Sequence, residues 1–256
     1  MPTEAEPQAG ARSTDSVLGG RLLLRQSLSG HRVGHDALLL AAFAPGACSV
    51  AVDLGAGVGS AGLAFLTRIA AAQATLVEID AELAALAADN IALNAMAGRA
   101  SVVVADVAAL ARPSGPPHPG AGAADLVLAN PPFNATAAHR TSPDNARARA
   151  HMAEEGLLEE WVRAADRCLA ARGVLCLIHR PEALAELLAA LAGRFGAAEI
   201  LPVHPRADRA AVRLLVRATK GRRTPPAILP GLVLADAAGR PTAEAEAVLR
   251  DGAALR

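Results

Sequence analysis

The chain has 256 residues, 52% of them hydrophobic and 20% charged, and its 25 basic residues balance 25 acidic ones. This composition excludes global disorder, and a core of this size needs no disulfide staple. No apolar run reaches the roughly 18 residues that span a bilayer, and the zero net charge argues against nucleic-acid binding by the molecule as a whole, though not by a local basic face. Cys48, Cys168 and Cys176 are too widely spaced for a disulfide framework or a zinc site. The polar first ten residues are unlike a secretory signal. The expectation is a cytoplasmic protein with no metal and no membrane partner.

Residues 1–17 lack periodicity and read as a flexible tail, with a single domain over 18–256. Residues 22–28 read as a strand or hairpin arm. Asp36 reads as the N-cap of an apolar helix over 37–43, stopped by Pro45-Gly46. Strands over 50–54, 74–78, 101–105 and 125–129 then alternate with helices over 61–72 and 81–96. The segment 112–123, rich in proline and glycine, is a loop. A polar, arginine-bearing stretch covers 134–152. A helix over 154–171, a strand over 174–178, a helix over 182–192 and strands over 200–203 and 211–217 complete the pattern. The last two strands have no clear helix between them and read as an antiparallel hairpin. Strand–helix alternation of this kind predicts an α/β, Rossmann-like fold, with a mostly parallel seven-stranded sheet covered on both faces.

Asp53-Leu54-Gly55-Ala56-Gly57-Val58-Gly59 lies where the first of these parallel strands turns into a helix. Gly55, Gly57 and Gly59 there allow close approach of a ligand, and ligands bind at that edge of an open α/β sheet. Glu78 ends the next strand, placed to accept from both hydroxyls of a ribose. Gly57-Val58-Gly59-Ser60-Ala61-Gly62 is also a literal dinucleotide fingerprint. Asp53 would repel a pyrophosphate and attract an ammonium group, which favours S-adenosyl-L-methionine. Asp106 could accept from an adenine amino group, with the Val107 backbone beside it; alternatively, Asp106 caps a helix. Asp80 reads as the N-cap of the helix over 81–96.

Asn130-Pro131-Pro132-Phe133 follows the fourth strand, beside that site. An amino nitrogen conjugated to an aromatic ring is a poor nucleophile. The Asn130 side-chain oxygen and the Pro131 carbonyl can both accept from it and aim its lone pair at an electrophile. Pro131 and Pro132 fix φ and offer no competing N–H. Phe133 offers a stacking face to a flat base. Positioning then does most of the catalysis, with no metal and no covalent intermediate.

In this order the glycine turn, Val77-Glu78-Ile79-Asp80 and Asn130-Pro131-Pro132-Phe133 resemble class I amino-methyltransferases. More narrowly, the chain is similar to the bacterial family of the valine-tRNA adenine-N6-methyltransferase, whose members modify an adenine next to the anticodon. The similarity runs over about residues 20–255. It includes Gly34-His35-Asp36-Ala37-Leu38-Leu39-Leu40-Ala41, His204-Pro205-Arg206, Ala218-Thr219-Lys220-Gly221 and Leu229-Pro230-Gly231-Leu232-Val233-Leu234. Several members carry a histidine where this chain has Ala235. The resemblance implies a cofactor contact at Asp36 and also at Asn130, methyl transfer to adenine N6, and tRNA as the partner. Two other readings use part of the same pattern: methylation of a glutamine amide in a protein, and NAD-dependent oxidation, which leaves Asn130-Pro131-Pro132-Phe133 without a role. A non-catalytic RNA-binding module would need only the basic residues.

Those basic residues allow two readings. Arg140, Arg147 and Arg149 with His139 follow the tetrapeptide, and Arg206, Arg209, Arg213, Arg217, Lys220, Arg222 and Arg223 form a dense run. They are either solvated faces or a phosphate-contacting RNA rim. Trp161 reads as packing on an amphipathic helix, and Cys176 as an inert core residue. The oligomeric state stays open.

Overall fold

The computed structural model describes residues 12–28, 34–112, 121–132 and 156–255. Eleven strands are found among them: β1 (Arg12–Val17), β2 (Leu22–Ser27), β3 (Val50–Leu54), β4 (Gln73–Glu78), β5 (Ala100–Val104), β6 (Ala124–Ala129), β7 (Leu169–His179), β8 (Phe195–Arg206), β9 (Arg213–Lys220), β10 (Ala227–Ile228) and β11 (Leu232–Ala235). The helices are α1 (His35–Phe43), α2 (Ser60–Arg68), α3 (Ala81–Leu93), α4 (Val107–Leu110), α5 (Leu157–Cys168), α6 (Leu184–Leu191) and α7 (Ala243–Leu249).

The main sheet runs β10-β8-β9-β7-β6-β3-β4-β5, with β11 also on β8. Only β9 is antiparallel to its neighbours β7 and β8; the other pairs are parallel. The seven strands from β8 to β5 are the Rossmann-like sheet with its antiparallel hairpin. Two short strands, β10 and β11, extend it to nine. Strands this short carry no readable alternation, so periodicity misses them. A visible signal did exist for α7: Thr242 before an alanine- and glutamate-rich run, and its side chain does accept from Ala245 N at 3.1 Å.

Helices cover both faces, because a parallel sheet must bury both. Leu63, Leu66, Phe65 and Phe43 pack with Leu76, Leu126 and Leu128 in one core. Trp161, Val162, Leu110 and Leu187 pack with Leu54, Val77, Val127 and Leu177 in the other.

Three local expectations are corrected. Residues 12–17, assigned to the tail, form β1, paired antiparallel with β2; their alternation of exposed and half-buried positions suits the edge of a small hairpin. Gly34, not Asp36, occupies the N-cap of α1, and Asp36 lies in its first turn, where a carboxylate suits the helix dipole. The helix expected over 61–72 ends at Arg68.

Candidate functional site

The parallel strands β3, β4, β5, β6 and β7 end in Leu54, Glu78, Val104, Ala129 and His179, so one edge of the sheet collects the segments that follow them. β3 lies between β4 and β6, where the chain order reverses. That is the crevice in which open α/β sheets bind ligands.

The turn after β3 is pinned by four hydrogen bonds. Ala56 N donates to Val77 O at 2.9 Å, Gly59 N to Ala56 O at 2.8 Å, and Gly57 N to Glu78 Oε2 at 2.7 Å. Val58 O accepts from Asn90 Nδ2 at 2.9 Å. Gly55, Gly57 and Gly59 all take positive φ, at 64°, 57° and 89°, a region that costs an ordinary L-residue about 1 kcal/mol or more. Their surroundings differ. A Cβ on Gly55 would lie 2.4 Å from Trp161 Cη2, whereas one on Gly57 would meet nothing within 4 Å. The Trp161 ring thus supports the underside of the turn, a role beyond the general packing expected of it. The open side is at Gly57.

Asp53 is buried, and its Oδ2 accepts from Gly62 N at 2.8 Å, tying β3 to the first turns of α2. Burial pushes its carboxyl up to about 7; the Gly62 N–H lowers it in part, and the nearby Glu78 raises it. The structure thus gives Asp53 a definite partner within the fold. Glu78 is also buried. Its Oε2 accepts from Gly57 N and its Oε1 from Asp80 N at 2.9 Å. A carboxylate has about four lone-pair sites, so both oxygens keep capacity for further donors. Asp80 caps α3 through Glu82 N and Leu83 N at 2.8 and 3.1 Å, as expected. Asp106 is exposed and caps α4 through Ala108 N at 2.9 Å, and the Val107 side chain is buried.

Two apolar residues at this edge were not anticipated. Ile79 is 63% exposed and Val104 60% exposed; Val104 is the register partner of Glu78. Large aliphatic side chains left in water beside the Glu78 carboxylate offer walls to a flat apolar ligand. The signal was local: an apolar residue directly after, or opposite, the last acidic residue of a strand.

Asn130 follows Ala129, which pairs with Leu54, so Asn130 and Gly55 start from one level of neighbouring strands. Asn130 is half-buried, Pro131 buried and Pro132 exposed. Among the described residues the Asn130 amide has no hydrogen-bond partner. Phe133, His139, Arg140, Arg147 and Arg149 lie outside the described residues. Asp36 pairs with Arg213, Nε to Oδ2 at 2.8 Å, joining α1 to β9 at the same edge. His179 ends β7, and burial, then the Arg180 charge, hold its imidazole below the ordinary value.

The arginine run divides because β9 crosses the sheet from one edge to the other. Arg206 and Arg213 stand at the site edge, whereas Lys220 stands at the opposite edge. Most of the run is paired: Arg206 and Arg209 with Asp208, Arg213 with Asp36, Arg217 with Glu199, and Lys220 with Asp166. Arg217 also lies over the Phe43 ring at 4.5 Å. A continuous basic rim is therefore not formed by residues 206–223. Among the described residues no group of three or more His, Cys, Asp or Glu side chains could hold a metal ion, and no helix is long and apolar enough to cross a membrane.

The model of the methyltransferase small domain matches residues 33–204. A crystal structure described as a predicted O-methyltransferase, protein Atu636 from Agrobacterium tumefaciens, is 32% identical, with a TM-score of 0.70, covering 86% of this chain and 98% of that one. The T. thermophilus 16S rRNA N2 G1207 methyltransferase RsmC, solved with AdoMet and guanosine, is similar in fold at 22% identity and a TM-score of 0.56 over 85% of this chain and 53% of that one. M. jannaschii TYW2, solved with AdoMet, has a TM-score of 0.56 at 13% identity over 86% of this chain and 90% of that one. No curated protein matches the chain significantly.

Proposed function

This chain belongs to the methyltransferase small domain family, and on that premise we propose that it moves a methyl group from S-adenosyl-L-methionine to an exocyclic amino group of an RNA base, adenine N6 in tRNA. The observation that carries the acceptor reading is the half-buried Asn130 amide without a partner among the described residues, presented at the end of β6 beside the glycine turn.

Several features support the cofactor. The space over Gly57 is open, and Glu78 stands next to it with capacity for two further donors. Ile79 and Val104 supply apolar walls. The Glu78 carboxylate beside the open turn suits a ligand bearing an ammonium and a sulfonium and opposes a pyrophosphate, whereas Asp36 is paired with Arg213 and Asp53 with Gly62 N. The cofactor supplies an electrophilic methyl group. The chain's own residues then have positioning to do. The Asn130 oxygen and the Pro131 carbonyl accept the two amino hydrogens and hold the nitrogen lone pair toward the methyl group. The charge that develops on that nitrogen strengthens both bonds, so they lower the barrier. An amide cannot remove a proton from a hydroxyl, so the same residue gives an oxygen acceptor little help. Arg140, Arg147 and Arg149 are proposed to meet phosphates.

The test is incubation of the purified protein with S-adenosyl-L-methionine and unmodified tRNA, followed by nucleoside mass spectrometry. N6-methyladenosine is expected. A methylated guanine, a methylated glutamine in a protein substrate, or a ribose 2′-O-methyl group would each replace the adenine reading.

A further inference from the structure

Asn90 lies in the last turn of α3, still within the helix, where asparagine is a poor helix former. It is 0% exposed, and a buried amide is costly unless its hydrogen bonds are made. Both donors and the acceptor oxygen have partners, and none of these bonds stabilises α3 itself. Nδ2 donates to Val58 O at 2.9 Å and to Arg25 O at 3.0 Å, and Oδ1 accepts from Arg25 N at 2.7 Å. One turn later, Asn94 Oδ1 accepts from Leu23 N at 2.9 Å, while its Nδ2 donates to Leu23 O and Asn90 O, both at 2.7 Å.

The spacings explain the match. Four residues of helix rise about 6 Å, and two residues of strand rise about 6.8 Å. Two side-chain amides on α3 therefore take the place of a neighbouring strand along the free edge of β2, whose other edge pairs with β1. The side-chain hydrogen bonds of Asn94 go to the hairpin and to its own helix. Asn90 also reaches the carbonyl of Val58, between the open Gly57 and the cap residue Gly59.

We propose that Asn90 is a positioning residue of the glycine turn, and that through it the β1–β2 hairpin and the turn are held as one unit. Docking of the hairpin and binding of ligand at the turn then favour each other, as linkage requires. This rests on the cofactor reading above for its binding readout alone.

The experiment compares Asn90→Asp with Asn94→Ala. The aspartate keeps the acceptor for Arg25 N but turns an oxygen toward two carbonyls; the alanine weakens the hairpin clasp without touching the turn. S-adenosylhomocysteine is the probe, with affinity read by calorimetry and amide exchange read at Arg25 and Gly59. In the wild type, the probe should slow exchange at Arg25 at least tenfold, although that residue lies in the hairpin. Asn90→Asp should weaken binding tenfold or more, abolish that protection, and speed exchange at Gly59 even without probe. Asn94→Ala should bind within threefold of the wild type. Asn90→Ser, which cannot reach all three partners, serves where the aspartate does not fold. Wild-type affinity in a folded Asn90 variant overturns the proposal, as does an equal loss in Asn94→Ala. Failure of the wild type to bind the probe would overturn the cofactor reading. The coupling would then be judged by probe-free exchange at Gly59, and no change there in Asn90→Asp would refute it.

Discussion

Replacing Gly62 by alanine sets two physical effects against each other. Gly62 lies within α2, where alanine is favoured over glycine by about 0.8–1 kcal/mol, so helix propensity predicts stabilisation. The added Cβ would lie 2.4 Å from Leu76 Cδ2 and 3.1 Å from Asp53 Oδ2, whereas carbon atoms pack at about 3.5–4.0 Å. Leu76 and Asp53 are both buried, so neither can swing into water. The neighbours must therefore yield by roughly 1 Å, within a class of overpacking that costs about 1–3 kcal/mol. The same displacement stretches the Gly62 N to Asp53 Oδ2 bond that ties β3 to α2. The expected net result is a loss of about 1–2 kcal/mol, or about 2–8 °C in Tm for a chain of this length. Urea and thermal denaturation measure it. Stability equal to or above that of the wild type would refute the packing argument and leave Gly62 as mere composition. Gly57→Ala is the contrasting case. It meets nothing within 4 Å, so it should lose only the strain of its positive φ, about 1 kcal/mol, while its affinity for S-adenosylhomocysteine falls sharply.

Glu78→Ala removes the partner of Gly57 N and Asp80 N together with the proposed ribose acceptors, and calorimetry should show cofactor affinity at least tenfold weaker in a folded protein; unchanged affinity would remove Glu78 from the site. Asn130→Ala should lower kcat about 10²-fold or more, on the scale set by loss of an oriented hydrogen-bond partner in other enzymes, with cofactor affinity within a few-fold. Asn130→Asp keeps an acceptor and should retain more activity, and full activity in Asn130→Ala would sink the acceptor mechanism. Asp53 is held at about 7 when folded against an ordinary 3.8. Its protonated form is thus favoured by folding, and the stability it contributes is full below about pH 4 and lost as pH rises through about 7. The wild type should therefore lose stability relative to Asp53→Asn between pH 5 and pH 8 in urea titrations, and a constant difference would contradict the burial argument.

What the sequence determined was local. The strand β3, its glycine turn, Glu78 at the end of β4, the Asp80 cap and Asn130 after β6 are each written in a few consecutive residues, because hydrophobic alternation, glycine and capping chemistry act over one or two turns of chain. Their gathering at one edge of the sheet followed too, since parallel strands must deliver their ends to one edge. The tertiary structure decided whatever depends on which distant segments meet. Trp161 beneath Gly55, Asp36 against Arg213 and Asn90 between Val58 and β2 join segments far apart in sequence. No periodicity encodes such pairs, because α3 reads as an ordinary alanine- and leucine-rich helix whether its buried face meets a core or the edge of a strand. The arginine run shows the same limit: contiguous in sequence, it is split between opposite edges because β9 crosses the sheet antiparallel to its neighbours. Exposure belongs to this second class as well. Ile79 and Val104 are core residues by composition, and only the position of their strand ends leaves them facing water beside Glu78.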